Sequence, residues 1–261
     1  TLAKDKADYL LFIDADEKLT VSKNFSKETL DKDCYHVPVV GDDEGKPFIF
    51  HRAGLINSRL NWQWKGVLHE ELVRPPEAKT FEETEELMIF ANTEDGNRCK
   101  DPQKHLKDAA VLEKGVEAEP NNSRYVFYLA LSYENAKEYA LALKNYEKRA
   151  LMGGWNQEVY QALYCCGKMK ELLGESSESI IEAYSKAYRY RPCRAEPLYQ
   201  LTCHYTKQQN YLLAYIISKF ALQIPPPNDL MPVERWIYDD GLLNVNTLCS
   251  EKLGITIPIS E

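Results

Sequence analysis

The chain lacks any apolar run near the ~20 residues a membrane span needs; its most notable run is Tyr9 to Ile13. Positive charge is also scarce. With 32 Lys and Arg against 40 Asp and Glu, the net charge is -8. That excludes a nucleic-acid binder, which needs a basic face to neutralise phosphates, and gives no pull toward anionic membranes. The seven cysteines are odd in number and never fall as C-x-x-C. Neither a disulfide framework nor a zinc ribbon is expected, and a reducing, cytoplasmic setting fits. No basic segment followed by a longer apolar stretch opens the chain, so no signal peptide is read. No initiator Met precedes Thr1 and the first strand follows almost at once, so a missing front is expected.

What is present is a folded chain, since 44% of its residues are hydrophobic. Ala7 to Ile13 is nearly continuous in apolar residues, the pattern of a strand buried on both faces. Cys34 to Val40 and Phe48 to Asn57 read as two further strands, and the turn residues Gly41 to Pro47 between them make a hairpin. Trp62 to Val73 is irregular or short-stranded. Residues 75–102, with the acidic run Glu82-Glu83-Thr84-Glu85-Glu86, read as a polar connection.

From residue 103 the period becomes helical, and it repeats. Leu129, Tyr133, Tyr139 and Ala142 match Leu201, Tyr205, Tyr211 and Ala214 at a constant offset. Ala187 to Ala221 spans one period of ~34 residues, the length of a tetratricopeptide unit. Pro120, Pro192 and Pro226 close successive units, and Met152-Gly153-Gly154 absorbs an insertion. Small residues let paired helices approach, and large ones fill the space between hairpins. Residues 103–117 read as a lone helix before the array and 232–253 as an atypical cap. The expected organisation is an α+β chain: an α/β region at 1–102 and a tetratricopeptide-type α-solenoid at 103–261.

Two segments carry candidate chemistry. Asp14-Ala15-Asp16 follows the first strand, and strand C-terminal ends are where open α/β sheets place ligands. Two carboxylates there suit Mg²⁺ or Mn²⁺ against a diphosphate; an acidic turn or helix cap explains the same spacing equally well. Asp31-Lys32-Asp33, the other such triplet, reads as a solvated surface feature. The second segment is Trp62-Gln63-Trp64-Lys65-Gly66-Val67-Leu68-His69-Glu70. It is not a zinc-protease motif, because Val73 stands where the second His would be. His69 and Glu70 could supply a metal ligand and a general base, or be a part-buried His and a surface Glu. Trp62 and Trp64 read as core aromatics rather than a sugar platform, and His36, His51, His105 and His204 as structural.

Taken in order, Ala7-Asp8-Tyr9-Leu10-Leu11-Phe12-Ile13-Asp14-Ala15-Asp16-Glu17 resembles the strand and Asp-x-Asp motif of family 2 glycosyltransferases with the GT-A fold. Trp64-Lys65-Gly66-Val67-Leu68-His69-Glu70 resembles a downstream segment of members that carry a tetratricopeptide tail. Glu119 to Ala130, Tyr190 to Tyr199 and Val233 to Tyr238 resemble parts of that tail. The resemblance spans nearly the whole chain. It implies a partial GT-A-like domain and an inverting sugar transfer from a nucleotide-sugar donor to an unknown glycan, lipid or protein acceptor. Asp14 and Asp16 would bind Mn²⁺ or Mg²⁺ with the diphosphate, His69 would complete the metal shell, and Glu70 would be the base. The family's upstream donor-binding half is absent here, so the chain alone is expected to be inactive. The competing expectation is a tetratricopeptide interaction module, without catalysis, whose helical array binds a protein partner.

Overall fold

The computed structural model describes residues 6–43, 46–91 and 101–255. Glu44 and Gly45 of the expected turn, and 92–100 of the expected connection, lie outside the described residues. The chain divides into two compact units: Thr1–Gly115 with Asp229–Pro232, and Val116–Asn228 with Val233–Glu261.

The first unit is a mixed, mostly antiparallel sheet. Its strands are β1 (Tyr9–Leu11), β2 (Glu17–Val21), β3 (Cys34–Asp43), β4 (Lys46–Asn57), β7 (Phe81–Glu83) and β8 (Leu87–Ala91). The order is β1-β4-β3-β8-β2, with β7 also paired to β3. A separate pair joins β5 (Gln63–Lys65) to β6 (Glu71–Val73). Val37 and Val39 on β3 and Leu87 and Ile89 on β8 alternate into the core with Tyr35 and Leu55, the period of two that a pleated strand imposes.

Three expectations change here. The apolar run at residues 7–13 gives an edge strand: β1 pairs only with β4, antiparallel, and its three residues are half-buried. It is not a strand buried on both faces, and the GT-A-like part of the expected fold is not supported. Tyr9 and Leu11 pack on the core around β3, which accounts for part of the run's apolar character. The polar connection contains two strands, β7 and β8, both parallel to β3. Asp33 is not merely solvated: its carboxylate accepts from Lys79 N (2.8 Å), Thr80 N (3.0 Å) and Thr80 Oγ1 (3.0 Å). The backbone bond from Lys79, with that from Thr80, holds its carboxyl below the ordinary value.

Pro38 stands inside β3, where a proline removes a ladder donor. The pairing shows why it is tolerated. Pro38 lies opposite His51, whose N–H turns away from β3 to donate to Leu230 O at 3.0 Å. The pair is thus a non-hydrogen-bonded one, and Pro38 N faces the other side. There β7 has ended at the level of His36 and β8 begins pairing at Val39, so no donor is missed.

Most of α1 (Lys104–Ala118) belongs to the first unit. The second unit is a helical array of the hairpins α2 (Ser123–Asn135) with α3 (Tyr139–Leu151), α4 (Asn156–Leu172) with α5 (Ser177–Tyr190), and α6 (Glu196–Lys207) with α7 (Tyr211–Ala221). A single π-turn, Ile237–Gly241, leads into α8 (Leu242–Leu253). Asn122, Ser176 and Asn210 start α2, α5 and α7, each side chain accepting from a first-turn N–H that would otherwise lack a partner. The small residues of the repeat are fully buried: Ala130, Ala142, Ala187, Ala214 and Ala221. Cys165 and Cys166 are buried on α4, as expected of small residues in that helix, and burial pushes the Cys166 thiol up to about 12.

The repeat extends to the turns. Lys137 and Gln209, equivalent between the α2–α3 and α6–α7 hairpins, both adopt left-handed backbone, φ 63° and 61°. Non-glycine residues pay for that conformation. Gln209→Gly is expected to stabilise the chain by about 0.5–1 kcal/mol, read as a raised urea midpoint; an unchanged or lowered midpoint would count against strain at this turn.

Candidate functional site

The sequence-predicted residues are all at the surface of the first unit. Asp14, Asp16, His69 and Glu70 are exposed. Asp14 lies just past the end of β1, and Asp14 N donates to Glu17 Oε2 at 2.8 Å. Arg52, reaching across from β4, bonds Glu17 Oε2 at 2.5 Å and lies 3.6 Å from Asp14 Oδ2. A guanidinium therefore already stands where a cation would sit beside Asp14. His69 occupies left-handed backbone, φ 51°, in the bend between β5 and β6. The bend closes tightly at Gly66, φ 139°, where a Cβ would come within 3.1 Å of Glu70 Cα.

The two segments are brought near one another. Phe12, at the end of β1, meets Trp64 of β5 edge-on at 5.2 Å. They do not converge further as a metal shell. Among the described residues, no three His, Cys, Asp or Glu side chains gather into a metal-holding group, so Asp14, Asp16 and His69 do not. Trp64 is not a core aromatic: 54% of it is exposed. Trp62 is half-buried, and its indole N–H donates to Asn57 O at 3.0 Å. The histidines have structural partners. His36 stacks on Phe81, and desolvation lowers its pKa. His51 Nδ1 lies 3.3 Å from Asp229 O, and His204 Nε2 lies 2.8 Å from Ser177 Oγ.

Two features escaped the sequence reading. The first is a cleft of about 450 Å³ in the first unit. Phe25, Leu30, Tyr35, Leu55 and Leu87 line it together with the acidic run Glu82–Glu86. The second is the outer side of α7. That helix buries only its small residues, Ala214, Ser218 and Ala221. Ile217 packs on the core beside them, while four large apolar residues are exposed: Leu212 is 56% exposed, Leu213 40%, Ile216 53% and Phe220, whose ring meets Tyr188 edge-on, 52%. Leu212, Ile216 and Phe220 fall four residues apart, on one side of a helix. That spacing, opposite the run of small residues, was the signal available in the sequence.

Within the array's mainly apolar core lies an ordered polar network. Glu196 accepts from Arg194 Nη2 (2.6 Å), Arg194 Nε (3.0 Å), Tyr238 OH (2.6 Å) and Tyr160 OH (3.4 Å). Tyr164 OH donates to Glu234 (2.8 Å) and accepts from Gln200 Nε2 (2.9 Å). Burial pushes the Glu234 carboxyl above the ordinary carboxylate range. Each of these groups is used in joining α4, α6 and the π-turn to one another.

No protein-family model matches the chain, and no curated protein does. Solved structures do. A MamA protein is 16% identical with a TM-score of 0.46, over 59% of this chain and 78% of that one. MamA from residue 41 to its end, from Desulfovibrio magneticus RS-1, is 14% identical with a TM-score of 0.43, over 60% and 86%. YrrB, described as a TPR protein with an unusual peptide-binding site, is 12% identical with a TM-score of 0.40, over 58% and 79%.

The family expectation finds no support: no family model and no curated protein matches, and the solved structures named above are MamA and YrrB proteins. The inverting glycosyltransferase and its sugar transfer, with the nucleotide-sugar donor and acceptor, are not supported. The strand that carried the expectation is an edge strand of an antiparallel pair, and its Asp14 is engaged by Arg52. Among the described residues no helix is long and apolar enough to cross a membrane.

Proposed function

We propose that the chain is a non-catalytic interaction module whose helical array binds a partner protein through the outer side of α7. One observation carries this: the solvent-facing stripe Leu212, Leu213, Ile216 and Phe220. Large apolar side chains scattered singly on a surface mean little, whereas several contiguous ones mark contact sites. Here four lie on one helix of eleven residues, and the buried face of that helix needs none of them. The spacing suits an amphipathic helix of the partner, laid along the stripe.

The test is selection from a displayed library of helical peptides against the full chain. Binders are expected, and Ile216→Glu with Phe220→Glu is expected to cost them about 2–4 kcal/mol, the range of interface hot spots. The same variant should keep the urea midpoint nearly unchanged, since outward positions move stability by only about 0.5 kcal/mol. Recovery of no binder, or of binders indifferent to both substitutions, overturns the reading.

A further inference from the structure

We propose that the outer edge of β1 takes up a β-strand from a partner protein, one apolar at its centre and basic at its ends. This surface belongs to the sheet unit and is independent of α7. The argument starts from the register. Phe12 N donates to Gly54 O, and Ser58 N donates to Asp8 O. Tyr9 pairs with Asn57, Leu10 with Ile56 and Leu11 with Leu55. Hydrogen-bonded pairs alternate along an antiparallel ladder, so Asp8, Leu10 and Phe12 turn their backbone groups to β4. Tyr9 and Leu11 turn theirs away from it. Among the described residues no strand lies on that side of β1.

Natural sheets blunt such edges with charges, proline or bulges. The opposite edge of this same sheet does so: β2 opens with Glu17-Lys18. The β1 edge is blunted only by its length of three residues. Tyr9-Leu10-Leu11-Phe12-Ile13 holds no charge and no proline, and its pairing with β4 runs without a register shift. Ile13 is 42% exposed, and Trp64, against Phe12, is 54% exposed. An added strand would find both backbone partners and apolar side-chain contact.

Charge selects the occupant. Asp8 stands at one end of the edge and Asp14 and Asp16 at the other, all exposed. Arg59 holds Asp8 at 2.6 Å, and Arg52 is shared by Asp14 and Glu17, so the C-terminal end carries the stronger preference for a basic residue. A second copy of this chain is disfavoured in the register centred on Leu11: antiparallel self-pairing there sets Asp8 directly opposite Asp14 at both ends of a short ladder, and like charges opposite one another destabilise a sheet.

The test uses the full chain and two blocked peptides, Lys-Val-Thr-Val-Thr-Val-Lys and the same sequence ended by Glu. The Lys-ended peptide is expected to bind about tenfold tighter, a difference of about 1.4 kcal/mol. On binding, the amides of Tyr9 and Leu11 are expected to slow in hydrogen exchange while that of Leu10 changes little. Leu11→Pro removes an outward donor and no bond to β4, so it should keep the fold and lose the peptide. Should that variant fail to fold, an N-methylated Lys-ended peptide serves instead and is expected not to bind. Equal binding of the two peptides, or no slowing at Tyr9 and Leu11, overturns the proposal. So does a dimer of the chain that Leu11→Pro abolishes, which would make the second copy the occupant. Loss of helical-peptide binding at α7 leaves these outcomes untouched, so the two readings fail separately.

Discussion

Glu196→Ala is expected to destabilise the helical array by about 3–5 kcal/mol, the cost of breaking a buried ion pair by removing one partner. Glu196 is 0% exposed and Arg194 1%. Without the carboxylate, the Arg194 guanidinium stays buried over the Tyr160 ring, 4.6 Å from its centroid, which cannot replace two charge-assisted bonds. Tyr238 OH loses its 2.6 Å acceptor as well, and with it a tie between the π-turn and α6. The loss is a large share of the 5–15 kcal/mol that holds a typical domain. Urea unfolding followed by far-ultraviolet circular dichroism reads it. Pairing the change with Arg194→Leu should recover most of the loss, because a buried pair replaced whole by apolar groups is often neutral. A single-variant loss below about 1 kcal/mol would show that the pair is solvated in practice.

Gly167 gives the second large effect. A Cβ at this position would fall 2.4 Å from Tyr184 Cε1 and 2.5 Å from Cδ1. The Tyr184 ring cannot retreat: it is fully buried, and its hydroxyl donates to Glu171 at 2.6 Å. Alanine in place of glycine inside a helix ordinarily gains about 1 kcal/mol. Overpacking costs about 1–3 kcal/mol, so Gly167→Ala is expected to come out neutral to destabilising, and Gly167→Val clearly destabilising. The signature is coupling. Gly167→Val with Tyr184→Leu should be more stable than the sum of the two single changes by at least ~0.5 kcal/mol, the level at which contacting residues depart from additivity. Strict additivity would mean that the two helices part rather than clash.

The helical half was legible because its signal is periodic. Ala142 and Ala214, or Leu129 and Leu201, announce the same packing twice, and a second occurrence removes most alternatives. The sheet was less legible because its decisive facts are non-local. An apolar run such as Tyr9 to Ile13 states that side chains are covered, and says nothing about which backbone groups are paired. The strand β8 was hidden by the glutamates that precede it, although Leu87–Ala91 is itself a five-residue apolar strand. Asp14 lies three residues past the end of β1, and Asp16 directly precedes β2. Arg52, which answers Asp14, comes from a strand 38 residues further on, and no local spacing could bring it in. On α7 the period marks Tyr211, Ala214 and Ala221, and it is silent on what the large residues between them face.

The way α7 divides its residues has a wider consequence. A helix that rests on Ala214, Ser218 and Ala221, with Ile217 half-buried beside them, anchors itself more by close backbone approach than by the bulk of its side chains. The large outward residues can then be exchanged one by one with little effect on whether the array folds. On the proposed reading, partner choice and structural integrity are written in largely separate letters of the same eleven-residue helix, so this face could be rewritten for a new partner while the scaffold beneath it stays as it is.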